Sequence, residues 1–340
     1  MIAGGAFAGS VQRFLEPIRP LLDDAGVSEI LINGPDEIWA ERGGTLSRAP
    51  QRFASAAALE AALTNVSQYA GRPLDGERPI LEAHLPDGSR IEAVLPPIAE
   101  GGPIVAIRRF SKSALTVDAL VAGGSLSPLA ARFLAKAAAA HLSVAVSGGT
   151  GTGKTSLLSA FVNTIRGTER IVVIEDTREI RLAHPHAVYL EARSADERGR
   201  GRVTIRDLLR ATLRLRPDRI VIGEVRGAEA LDLIQAMTSG HRGSWTTVHA
   251  NGPRDAMRRL ETMALMADSG LPLAALRAQV ASAVDLVIQV GRAADGHRRI
   301  ESICAVRGLD GSGDYGIVRY FDRDEAGALV PRRRERRSER

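Results

Sequence analysis

The pattern of apolar residues along this chain changes at Pro128, after a stretch, 111–127, with few strong elements. Over the first 110 residues short extended runs lie between turns. They predict strands over residues 27–33, 37–41, 80–85, 90–95 and 104–108, with turns at Gly34-Pro35-Asp36 and Pro86-Asp87-Gly88. One segment, 55–70, instead repeats its apolar residues at Leu59, Leu63, Val66 and Tyr69, the spacing of a helix face. After residue 127 apolar runs at 143–146, 170–175, 219–223, 244–248 and 284–290 are separated by helical segments at 128–140, 154–165, 204–215, 228–238, 253–266 and 272–283, and two more extended runs follow. Such alternation implies parallel strands joined by crossover helices. The predicted organisation is a small α+β N-terminal domain (1–110), a linker (111–127), an α/β domain (128–330) and a basic, disordered tail (331–340).

Length and composition fit this plan. A chain of 340 residues suggests two domains. Aromatic residues make up only 4%, so the cores must rest on Leu, Ile, Val and Ala. The single cysteine, Cys304, excludes an internal disulfide and a cysteine-based zinc site. The most apolar stretch, 130–146, is broken by Arg132, Lys136 and His141, and the N-terminus lacks the basic start of a secretory signal. The expectation is a cytoplasmic protein, soluble or peripheral on a membrane. Net charge is +5. Much of the excess lies in the tail, where a solvated end and a lipid-surface contact are the two readings.

Candidate chemistry begins after the run 143–146. Gly148-Gly149-Thr150-Gly151-Thr152-Gly153-Lys154-Thr155-Ser156 has the form of a P-loop, set between a strand and a helix. Glycines let backbone amides approach phosphate oxygens, and the helix N-terminus adds its positive end. Lys154 is expected to reach the β- and γ-phosphates of ATP and Thr155 to ligate Mg²⁺. Two later strands end in acids, Glu175-Asp176 and Glu224, and a third is followed by His249. Parallel sheets bind ligands at the carboxyl ends of their strands, so all these residues are candidates for one edge. Arg206, Arg210 and Arg214 recur every fourth residue, either as a solvated face or as arginines aimed at a nucleotide or a neighbouring subunit.

Four stretches then resemble a known family: residues 147–155, Ile174-Glu175-Asp176-Thr177, residues 216–227 and Thr246-Thr247-Val248-His249-Ala250-Asn251. In this order they match the Walker A, Asp box, Walker B and His box of the type II and type IV secretion ATPases. Within that superfamily, residues 27–36, Asp87-Gly88-Ser89-Arg90 and Ala106-Ile107-Arg108-Arg109-Phe110 are similar to the CpaF branch, which serves tight-adherence pilus assembly. The resemblance implies a RecA-like ATPase domain after an α+β domain. It also implies a homo-hexameric ring, peripheral on the cytoplasmic side of the inner membrane, that hydrolyses ATP to drive pilus assembly or protein secretion through a platform protein. Catalytic roles carry over to Lys154, Glu175, Glu224 and His249, with Glu175 orienting the attacking water and Glu224, with Thr155, tied to Mg²⁺. Arg90 and Arg108 would reach the nucleotide from the N-terminal domain, and Arg193 and Arg206 are further candidates for charge stabilisation. A type IV secretion or conjugative-transfer ATPase is the alternative. A nucleic-acid motor would need aromatics interleaved with its basic residues. Trp39, Trp245 and the tyrosines are not so placed, and no specific nucleic acid is expected.

Overall fold

The computed structural model describes residues 3–109, 115–195, 199–293 and 296–332, with the backbone alone for 3–8. The chain divides into two compact units, Met1–Ser113 and Ala114–Arg340.

The first unit contains α1 (Ala3–Phe14), α2 (Arg19–Asp23), β1 (Val27–Asn33), β2 (Ile38–Arg42), β3 (Thr45–Ala49), α3 (Ala56–Ala70), β4 (Ile80–His84), β5 (Arg90–Val94) and β6 (Ile104–Arg108). The strands form one antiparallel sheet, ordered β3-β2-β1-β6-β5-β4. Strand alternation sends Ile30, Ile32, Ile91, Ala93, Val105 and Ile107 into a core shared with Leu59, Leu63 and Val66 of α3. Ser55 caps α3 by accepting from the Ala58 amide, and Gly71, at φ 64°, ends it. The opposite face mixes charged residues, among them Glu29, Glu82, Arg90 and Arg108, with Leu31, Trp39 and Ala106.

The second unit contains α4 (Val117–Ala122), α5 (Pro128–Ala139), β7 (Val144–Ser147), α6 (Lys154–Val162), β8 (Ile171–Glu175), β9 (Ala187–Glu191), α7 (Ile205–Thr212), β10 (Arg219–Ile222), α8 (Glu229–Thr238), β11 (Trp245–Val248), α9 (Pro253–Leu265), α10 (Leu273–Ala283), β12 (Leu286–Arg292), β13 (Arg298–Leu309), β14 (Tyr315–Arg323) and β15 (Leu329–Pro331). Its nine-stranded sheet runs β15-β14-β13-β12-β7-β11-β10-β8-β9. The segment from β12 to β9 is parallel, and β13 to β15 extend it as an antiparallel meander. Helices bury both faces, which is why the strands read as unbroken apolar runs. Val144, Val146, Ile171 and Val173 meet Leu134, Leu158 and Phe161 on one side. Ala145, Val172, Ile174 and Ile222 meet Leu209, Ile234 and Leu260 on the other. The α/β architecture after an α+β unit follows the sequence reading.

The differences are local. Of the expected linker, 111–127, residues 111–114 lie outside the described residues; the rest carries α4, and Leu120 and Leu126 lie in the core of the second unit. Helix α7 stops at Thr212, short of the expected 215: Arg216 adopts φ 54° ahead of Pro217, and a residue before proline is driven out of the helical region. Of the expected disordered tail, 331–340, Pro331 ends β15 and Arg332 pairs with Asp322 at 2.8 Å; residues 333–340 lie outside the described residues. No helix of the described residues is long and apolar enough to cross a membrane.

Candidate functional site

Strand β7 delivers the glycine loop to the carboxyl edge of the sheet, and the loop's shape is imposed by what surrounds it. The Gly148 amide donates to the Val248 carbonyl (3.3 Å), tying the loop to the end of β11. A Cβ on Gly148 would lie 2.6 Å from the Val290 carbonyl oxygen and 2.8 Å from Thr152 Oγ1, so no other residue fits. Thr152 Oγ1 donates to the Gly149 carbonyl (2.9 Å). Gly153 reaches φ 88° at the N-cap of α6, a left-handed conformation that favours glycine, and no side chain caps the helix. The amides of the first turn are therefore left to a ligand.

Lys154 is buried and folds back on this loop. Its Nζ donates to the carbonyls of Gly148 (3.1 Å) and Gly149 (2.9 Å) and lies 3.3 and 3.4 Å from the two ring nitrogens of His249. His249 Nε2 stands 2.8 Å from Glu224 Oε1. The other Glu224 oxygen accepts from Arg226 Nη2 at 2.8 Å, and Arg226 Nη1 lies 3.9 Å from Asp176. Burial holds the His249 pKa below its ordinary value; Glu224 opposes the shift, and Lys154, Arg226 and Arg259 reinforce it. The ring is then neutral near pH 7, and the tautomer that suits both neighbours donates Nε2–H to Glu224 and turns the Nδ1 lone pair to the ammonium. Thr247 Oγ1 donates to the Gly223 carbonyl (2.7 Å), which locks β10 to β11 and fixes Glu224 against His249.

Glu175 is placed differently. It is 4% exposed, and its carboxylate accepts from the amides of Glu179 (3.1 Å) and Ile180 (3.0 Å). Burial lifts its pKa to about 7 against the lowering effect of those amides. Its side chain fills the space beside Gly223, where a Cβ would come within 2.8 Å of Glu175 Cγ. The two glutamates of this edge thus differ in character: one braces a loop, and one sits in the cluster with lysine and histidine.

The remaining candidates are spread out. Arg193 Nε donates to the Gly201 carbonyl (2.6 Å) and closes its own loop. Arg206 and Arg210 both bond Asp232 of α8, at 2.6 and 2.8 Å, and pin α7 to that helix. Arg90 and Arg108 are cross-strand partners on the face of the N-terminal sheet opposite its core, where Arg90 pairs with Glu82 (2.6 Å) and Glu29 stands opposite Arg108, so acids already answer both arginines. Sequence reasoning missed Arg226 as a partner of Glu224, although it stands two residues on within the quoted motif.

Magnesium needs few protein ligands, because it keeps several waters and shares phosphate oxygens. Glu224 and the Thr155 hydroxyl, on the second residue of α6, suit it. Among the described residues no group of three His, Cys, Asp or Glu side chains could hold a metal alone. Ser147 Oγ, buried at the end of β7, has no hydrogen-bond partner among the described residues.

This fold and edge define a P-loop protein with an N-terminal α+β unit. Residues 12–309 match the Type II/IV secretion system protein family, and the chain belongs to it. A Mycobacterium tuberculosis protein whose name provisionally assigns it to conjugal transfer is 40% identical over 330 residues, covering 94% of this chain and 93% of that one. The type IV secretion system protein VirB11 of Brucella suis is 35% identical over 310 residues, covering 83% and 86%. Among solved structures, the Legionella pneumophila ATPase DotB aligns with TM-score 0.58 at 21% identity, over 90% of this chain and 82% of that one, a likeness of fold. The narrower resemblance to the tight-adherence branch gives way here. These relatives are named for conjugal transfer and type IV secretion, the reading held as the alternative.

Proposed function

We propose that this protein is an ATP-hydrolysing motor of a type IV secretion or conjugative-transfer machine. The observation that carries the ATPase reading is the meeting of Lys154, His249, Glu224 and Arg226 on one uncapped glycine loop. The names of the relatives carry the choice of machine.

The residues divide the work by position. The amides of 149–155 cradle the phosphates, and Lys154 exchanges two carbonyls for phosphate oxygens when nucleotide enters. Mg²⁺, held by Thr155 and Glu224, would neutralise charge on the phosphates. Glu224, beside a neutral His249, is better placed than Glu175 to accept a proton from the attacking water, and His249 holds that carboxylate in line. Glu175 keeps the following loop in shape. The assembly we infer is a homo-hexamer on the cytoplasmic face of the inner membrane, working against a platform protein and without a specific nucleic-acid site.

The test is phosphate release by purified protein and by Lys154→Ala. The wild type should turn over ATP in the presence of Mg²⁺, and the variant should lose turnover while keeping the circular dichroism of the parent. Turnover by Lys154→Ala at the wild-type rate would reject the site.

A further inference from the structure

Strand order gives the nucleotide site a direction. Lys154, His249 and Glu224 gather on the side of β7 that carries β11 and β10, so the γ-phosphate end belongs there. The rest of a nucleotide must leave along the other side, toward β12 and β13. That side is a built wall. The Val290 carbonyl of β12 presses on Gly148, and the side chain of Arg298, at the start of β13, lies over the last glycine of the loop. A Cβ on Gly153 would stand 3.4 Å from Arg298 Cδ.

Arg298 is firmly placed at its backbone and uncommitted at its head. Its carbonyl accepts from Ser125 Oγ (2.7 Å), and the Ile300 amide donates to the Ser125 carbonyl (3.0 Å). Arg323 ties the same turn together by donating to the carbonyls of Ile300 (2.7 Å) and Ser125 (3.0 Å). The Arg298 guanidinium has no hydrogen bond or ion pair among the described residues. Its cross-strand partner is Arg292, another arginine, so no acid answers it from across the ladder. An exposed guanidinium, anchored at its root and set over the uncapped N-terminus of α6, is complementary to a diphosphate.

We propose that Arg298 contacts the α/β-diphosphate of the bound nucleotide, from the side of the loop opposite Glu224. This rests on the nucleotide reading above and adds a residue from the β12–β13 hairpin to that site. The diphosphate is common to ATP and ADP, so Arg298 contributes equally to both and does not discriminate the γ-phosphate.

Equilibrium binding of ADP and of a non-hydrolysable ATP analogue, with competition by inorganic pyrophosphate, tests this on the full-length wild type, Arg298→Ala and Arg298→Lys. Loss of one charge-assisted contact at an exposed site should weaken all three ligands alike, by about tenfold in Arg298→Ala, with partial recovery in Arg298→Lys. Binding that is uniform between ground and transition states raises KM and leaves kcat within about twofold. Since the guanidinium has no partner among the described residues, thermal melting should not move. Unchanged ADP affinity overturns the proposal. So does a loss confined to the ATP analogue, which would place Arg298 at the γ-phosphate, or a loss with ADP but not pyrophosphate, which would place it at the nucleoside. A wild-type protein that binds none of the three overturns the nucleotide reading itself.

Discussion

Replacing Glu175 by glutamine tests whether this acid serves the fold. In the native protein burial lifts its pKa from 4.5 to about 7. The folded state therefore holds a proton that the unfolded chain has already released. The sign follows from that: the contribution is fully present below pH 4.5 and is lost as pH rises toward 7. At about 1.4 kcal/mol per pH unit, the wild type gives up about 3 kcal/mol of stability across that range. For a unit of this size, 1 kcal/mol moves the melting temperature by roughly 2–4 °C, so the loss is roughly 10 °C. Glutamine cannot ionise, yet it keeps one oxygen for the Glu179 and Ile180 amides. Differential scanning fluorimetry of both proteins from pH 5 to pH 8 isolates this group, because the other titrations cancel in the difference. The curves should coincide near pH 5 and separate with Glu175→Gln the more stable at pH 8. A difference that stays constant with pH, or a variant that melts lower at pH 8, would refute the assignment of Glu175 as a buried, proton-holding brace.

Two further outcomes follow from the geometry. Gly148→Ala forces a methyl against a backbone oxygen that cannot step aside, and should cost about 2–3 kcal/mol and abolish nucleotide binding, as read by melting and by ADP titration. Asp232→Ala removes a nearly buried acid that two arginines share, leaving both uncompensated, and should cost about 2 kcal/mol in chemical denaturation. Arg210→Ala alone should cost less than half of that, because Arg206 still pairs with the acid.

Much of this structure was legible where local pattern and global role agree. The glycine loop, the strands before it and after it, and the acids and histidine at their ends all showed as apolar runs broken by polar residues. What stayed hidden depends on partners far along the chain. Strand β9 is short and half-buried at the sheet edge, with no alternation to mark it, and β3 is exposed along nearly its whole length. Helix α4 is only one and a half turns, flanked by Gly and Ser. The arginine stripe of α7 gave no hint that two of its members answer Asp232, since that acid belongs to a helix 22 to 26 residues away. Arg298 carries no motif at all; only the sheet order brings it to the loop.

The contact between Glu175 and Gly223 has a consequence for descent. One small volume lies between the ends of β8 and β10, and a side chain from only one strand can fill it. In this chain β8 fills it with glutamate, so β10 must end in glycine before Glu224. A lineage that placed an aspartate at position 223 would first have to shorten the residue at 175. The two positions should therefore drift as a linked pair, and an acid gained on one strand without loss on the other would be purged as a misfolded sheet edge before its chemistry was ever tried.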